Sequence, residues 1–141
     1  MTEETYPKIL QTMLDATDPR GLAEFYRQLF GLAYRAGDET PPAGEPDEHG
    51  QDWLVLIGID GHLSLAFQKA EQLPATTWPQ DGVPQQMHLD TSVPEVAELD
   101  RQHGRAITFG ARLRYDRRED PDEPLRVYAD PAGHLFCIFV G

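Results

Sequence analysis

A pattern that occurs twice constrains this chain more than any other feature. Each copy sets a polar side chain with metal- or ligand-binding capacity in an extended segment, Gln11 in the first and His88 in the second. An acidic residue, Asp18 or Glu95, follows seven positions later and opens an amphipathic stretch. Each copy then reaches a Gly-His step before an apolar run, Gly61-His62 ahead of Leu63 to Phe67 and Gly133-His134 ahead of Leu135 to Phe139. Self-similarity at this spacing means two modules of roughly seventy residues. They are assigned to residues 7–70 and 85–141, with 71–84 as the linker, and 141 residues suit one domain of two closely packed halves.

Residues Lys8 to Asp15 read as a strand, on which alternation sends Gln11 to the face of Met13. Asp18 before Pro19 is a strong helix start, and Leu22, Phe25, Tyr26 and Leu29 recur at helical spacing until Gly31. A strand around Leu32 to Arg35 precedes the Gly-, Pro- and acid-rich stretch Ala36 to Gln51, which reads as an exposed, mobile loop. Asp52 to Ile57 and His62 to Lys69 read as strands joined by a Gly58–Gly61 turn. The proline-rich linker holds Trp78, expected to pack on the body. The second module is expected to run Gln85 to Thr91 as strand, Pro94 to His103 as helix closed by Gly104, then strands at Arg105–Ile107, Gly110–Tyr115, Leu125–Ala129 and Leu135–Val140.

Twelve basic against twenty-four acidic residues give a net charge of −12, a field that repels phosphate backbones and anionic membranes, so nucleic acid and membrane are not expected partners. Cys137 is the only cysteine, which rules out an intrachain disulfide and a cysteine zinc cluster and fits a reducing cytoplasm. The acidic start Met1 to Thr5 lacks an apolar core behind it, and no apolar run reaches membrane-spanning length, so a soluble, unexported protein is expected. Arg112, Arg114, Arg117 and Arg118 lie beside the acidic run Glu119 to Glu123; they read as a self-neutralising hairpin, with a carboxylate clamp as the alternative.

The duplicated units, the Asp18-Pro19 helix entry running on to Phe25-Tyr26, and Tyr128-Ala-Asp130-Pro-Ala-Gly133-His134 near the end resemble the vicinal oxygen chelate superfamily, the glyoxalase, bleomycin-resistance and extradiol-dioxygenase group. The resemblance covers nearly the whole chain and implies an α+β fold of two tandem βαβββ modules whose curved mixed sheets enclose a cup. Metal-dependent members take one ligand from the first strand and one from the last strand of each module. Carried onto this chain, the first-strand positions are Gln11 and His88, while the last-strand positions fall on Ala66 or Leu65 and on Cys137. Neither Ala66 nor Leu65 can ligate, and the set lacks the carboxylates that hold a hard divalent ion. No cofactor is therefore expected, with a divalent metal on Gln11 and His88 as the minor alternative.

His88 has two readings, a hydrogen-bonded interior histidine or the best candidate for a catalytic base. Cys137 reads as a packed core thiol unless His88 activates it. Gln68 shares the face of Ala66 and can reach a ligand, while Trp53, Phe67 and Tyr128 are expected to supply pocket walls. His62 and His134, with Asp60 and Asp130, read as turn residues. Two functions follow. One is metal-independent small-molecule binding of the bleomycin-resistance type by Gln11, His88, Gln68 and Cys137. The other is a metal-dependent lyase, isomerase or dioxygenase with its missing carboxylates drawn from the Asp47-Glu48-His49 loop. The resemblance also implies a homodimer.

Overall fold

The computed structural model describes residues 5–141; residues 1–4, which enter the targeting argument, lie outside them. The chain runs β1 (Thr12–Ala16), α1 (Pro19–Phe30), β2 (Ala33–Tyr34), β3 (Trp53–Ile57), β4 (Ser64–Lys69), then β5 (His88–Val93), α2 (Val96–Phe109), β6 (Arg112–Asp116), β7 (Leu125–Ala129) and β8 (Leu135–Val140). The duplication is realised in space. Two four-stranded sheets have orders β1-β4-β3-β2 and β5-β8-β7-β6, and in each the first strand pairs parallel with the last.

Helix α1 begins as its sequence dictates. Asp18 accepts from the Gly21 N–H at 3.1 Å, Pro19 occupies the first turn, and Gly31 closes the helix with φ of 66°. Its buried stripe of Leu22, Phe25, Tyr26 and Leu29 packs on the sheets of both modules: the Tyr26 ring stacks on Phe67 of β4, and Phe25 lies 5.7 Å from Phe136 of β8. One core thus spans both halves, made of the outward-alternating residues Leu14, Leu65, Phe67, Leu89, Phe136 and Ile138 together with the helices. Phe67 and Tyr128 are completely buried in it, so the expectation that they line a pocket is corrected.

Helix α2 also departs from expectation. It continues through Gly104 to Phe109, so there is no strand at Arg105–Ile107, and Gly110 supplies the left-handed cap with φ of 115°. The burial of Ala106 and the Arg105 guanidinium on the Gln28 and Leu29 carbonyls of α1 hold this extra turn, outweighing the helix cost of Gly104. At the other end of the module β5 starts at His88 rather than Gln85, and in the first module β1 starts at Thr12, leaving Gln11 just outside the ladder.

The loop 36–51 is anchored rather than free. Asp38, 2% exposed, accepts from the Val55 N–H at 3.0 Å and meets Arg35 and His49 at 3.1 and 3.2 Å. Arg20 of α1 binds the Asp38 carbonyl and forms a two-pronged pair with Asp47. The linker is anchored as well: the Arg114 guanidinium donates to the carbonyls of Thr76 and Trp78. Gly133, at φ of 97°, lets Ala75 approach so closely that an added Cβ would meet it at 3.0 Å.

Candidate functional site

Alternation leaves each sheet a second face, turned away from the helices. On the first sheet Met13, Ala66 and Val55 share a register row, and Asp15, Gln68 and Trp53 the next. This fixes the last-strand position of the first module as Ala66, since Leu65 faces the core. On the second sheet the row of Asp90, Cys137 and Val127 corresponds to that of Met13, Ala66 and Val55, and His88, Leu135 and Ala129 form the row before it.

A cavity of about 660 Å³ lies where β1 and β5 come near one another, covered by the linker residues Leu73, Pro74, Thr76 and Val83. Its walls include Asp15, Gln68, His88 and His134. A second hollow of about 360 Å³ sits over the second sheet, with Cys137, Val127 and Phe139 as floor and Trp78 and Tyr115 as an edge-to-face aromatic wall. His88 and Gln85 border both spaces. The Gln85 Oε1 atom is buried without a hydrogen-bond partner.

The residues singled out from sequence are partly brought together. His88 and Gln68 line the larger cavity and Cys137 the smaller, whereas Gln11, Trp53, Phe67 and Tyr128 line neither. Trp53 is on the cup face, but the Arg35 guanidinium covers its ring at 4.9 Å. The Tyr128 hydroxyl is held by His103 Nδ1 at 2.8 Å, under α2. The loop carboxylate Asp47 is engaged with Arg20, and neither it nor Glu48 nor His49 lines either of these cavities, so this loop brings no ligands to them.

Sequence reasoning did not place Asp15 in the site and read His134 only as a turn residue, which it also is. Asp15 Oδ1 accepts from Gln68 Nε2 at 2.6 Å, directly across the β1–β4 register. His134 Nε2 lies 2.7 Å from the Asp15 carbonyl, which can only accept, so Nε2 carries a proton in this contact. The turn before it is built on Asp130, whose carboxylate takes the N–H groups of Ala132 and His134 and the Tyr26 hydroxyl. Burial raises the Asp130 carboxyl above its ordinary range against the pull of these donors. Asp15 was legible by parity, being two residues beyond Met13 on the Gln11 face; the role of His134 requires the two modules to be docked.

The donors that a family metal would need do not assemble. Ala66 has none. Burial, reinforced by the charges of Asp90 and Glu123, raises the Cys137 thiol to about 11, so it is a poor thiolate source near neutrality. His88 Nε2 is 3.1 Å from Asp90 Oδ1, and among the described residues no three His, Cys, Asp or Glu side chains converge as a metal-binding group. The residues present do not fit a divalent ion.

The paired strand-helix-strand modules, with cup faces turned away from a shared helical core, define the chain as a vicinal oxygen chelate fold. It belongs to the glyoxalase-like domain family, whose model matches residues 11–139. No curated protein matches the sequence. Among solved structures it is similar to a fosfomycin resistance protein from Listeria monocytogenes crystallised with Mn(II) and a dihydroxypropylphosphonic acid, at 17% identity and a TM-score of 0.67, covering 97% of this chain and 94% of that one. It is also similar to a lactoylglutathione lyase from Agrobacterium tumefaciens, at 22% identity and TM-score 0.59 with 98% and 96% covered. A glyoxalase/bleomycin resistance protein/dioxygenase family enzyme from Burkholderia phytofirmans aligns at 18% identity and TM-score 0.64 with 92% and 95% covered. At these identities the likeness is one of fold.

Proposed function

We propose that this chain binds a small organic molecule in the cavity between its modules without a divalent metal, as a bleomycin-resistance-type binding protein. The observation that carries this reading is the side chain at each last-strand position: a methyl group at Ala66 and a buried, protonated thiol at Cys137. A cavity of about 660 Å³, its wall mixing apolar side chains with polar ones such as Asp15, Gln68 and His88, has the usual dimensions of a ligand site. The test is a ligand screen on chelator-treated protein. Saturable binding, abolished when Met13→Trp fills the cavity, supports the reading; binding that appears only after a divalent metal is restored overturns it.

The His88–Asp90 pair at 3.1 Å favours a second reading, a lyase or isomerase in which Asp90 orients His88 as a general base. The chain is further proposed to act as a homodimer, because Ile9, Leu10 and Met87 present apolar surface to solvent at 97%, 80% and 76% exposure.

A further inference from the structure

The fixed-charge inventory of the larger cavity is one-sided. Among the described residues that line it there is no lysine or arginine, and its one carboxylate is Asp15. The described partner of that carboxylate is neutral: Gln68 Nε2 donates to Asp15 Oδ1 and leaves Asp15 Oδ2 and Gln68 Oε1 as acceptors. Several donors in the wall are already spent on the protein itself. The Tyr26 hydroxyl donates to Asp130, the Thr76 hydroxyl to the Val83 carbonyl, and His134 Nε2 to the Asp15 carbonyl. Leu14, Leu73, Pro74 and Met87 complete the wall with apolar surface.

Thr12, Gln85, Gln86 and His88 add groups that can donate as well as accept, so what sets the sign of the space is its single side chain of fixed charge, the Asp15 carboxylate. An anionic ligand would meet Asp15 with no lysine or arginine in the wall to offset it, at a cost that grows as water is excluded. An ammonium group would form a charge-assisted hydrogen bond to Asp15 while its hydrocarbon part lay against the apolar wall. The net charge of −12 acts in the same sense at longer range, raising the encounter rate of cations.

We infer that the cavity selects organic ammonium ligands, with Asp15 as the counter-carboxylate and Gln68 holding it in place. This rests on the small-molecule binding reading and adds the ligand class to it. It also sets the chain apart in chemistry from its phosphonate-bound structural neighbour.

The test uses chelator-treated protein titrated calorimetrically with two matched series: phenethylamine, phenethyl alcohol and hydrocinnamate, and hexylamine, hexanol and hexanoate. The expected result is that each amine binds at least about tenfold tighter than its alcohol, that the acids are weakest, and that added salt weakens only the amines. The near-isosteric Asp15→Asn brings each amine-to-alcohol affinity ratio close to one and removes the salt dependence of amine binding. The salt dependence is read on the unaltered protein, so the inference stays testable if that variant folds poorly. Alcohols or acids binding as well as amines, with no salt effect, would overturn the ammonium inference and leave the binding reading standing. If no member of either series binds, both fall.

Discussion

The Tyr26 hydroxyl of α1 donates to Asp130 Oδ2 at 2.6 Å, tying the helix of the first module to the turn that launches the last strand of the second. Both groups are buried, and the same carboxylate organises the Ala132 and His134 N–H groups. This hydrogen bond therefore joins the shared core in docking the modules and ties α1 to the turn that carries His134 to the cavity wall.

Tyr26→Phe should lower stability by about 1–3 kcal/mol, the cost of removing a donor from a buried charged acceptor. Because burial raises the folded-state Asp130 carboxyl above its unfolded value, the buried carboxylate opposes folding above that range, and protonation relieves this as pH falls. The loss in Tyr26→Phe should accordingly be larger at pH 7 than near pH 4. Urea unfolding at the two pH values measures it; an equal loss at both would show that Asp130 is not the acceptor that matters.

Gly104 and Gly110 should respond in opposite directions to alanine. Gly104 lies within α2, where an added Cβ meets nothing within 4 Å, so Gly104→Ala should stabilise by about 0.5–1 kcal/mol. Gly110 caps the helix at φ of 115°, and Gly110→Ala should destabilise by about 1 kcal/mol or more. Chemical denaturation of the two variants checks this, and destabilisation by Gly104→Ala would restore a helix end at that residue.

Cys137 should resist thiol reagents. Its thiol, raised to about 11, stays protonated at pH 8, and it is 7% exposed. Labelling by an aromatic disulfide should be slow in buffer and fast in denaturant. Rapid stoichiometric labelling of native protein would contradict the buried-thiol description and reopen His88 as its activating base.

Light scattering should give twice the chain mass, and replacing Ile9 and Leu10 together by Glu should shift the protein toward monomer. A monomer across the accessible concentration range would remove the homodimer from the account.

Much of the fold was legible because its signals are local. Asp18-Pro19 starts α1 by capping chemistry, and the repeated Gly-His steps mark the last strands of both modules. The α2 boundary was missed because Gly104 looks like a cap, yet Ala106 is buried and Arg105 reaches α1, contacts between segments far apart in sequence. The site was less legible for the same reason. Alternation from Gln68 already sends Phe67 to the opposite face, so its exclusion from the cup was available; the shielding of Trp53 by Arg35, the linker roof and the His134–Asp15 contact exist only after docking.

Titration of chelator-treated protein with Mn(II), Ni(II) and Zn(II), followed by calorimetry, tests the central claim most directly. The account requires no saturable binding of any of them at micromolar concentration, because Ala66 and the protonated Cys137 occupy the positions where carboxylates would be needed. One equivalent of tightly bound metal, lost in His88→Ala, would contradict it.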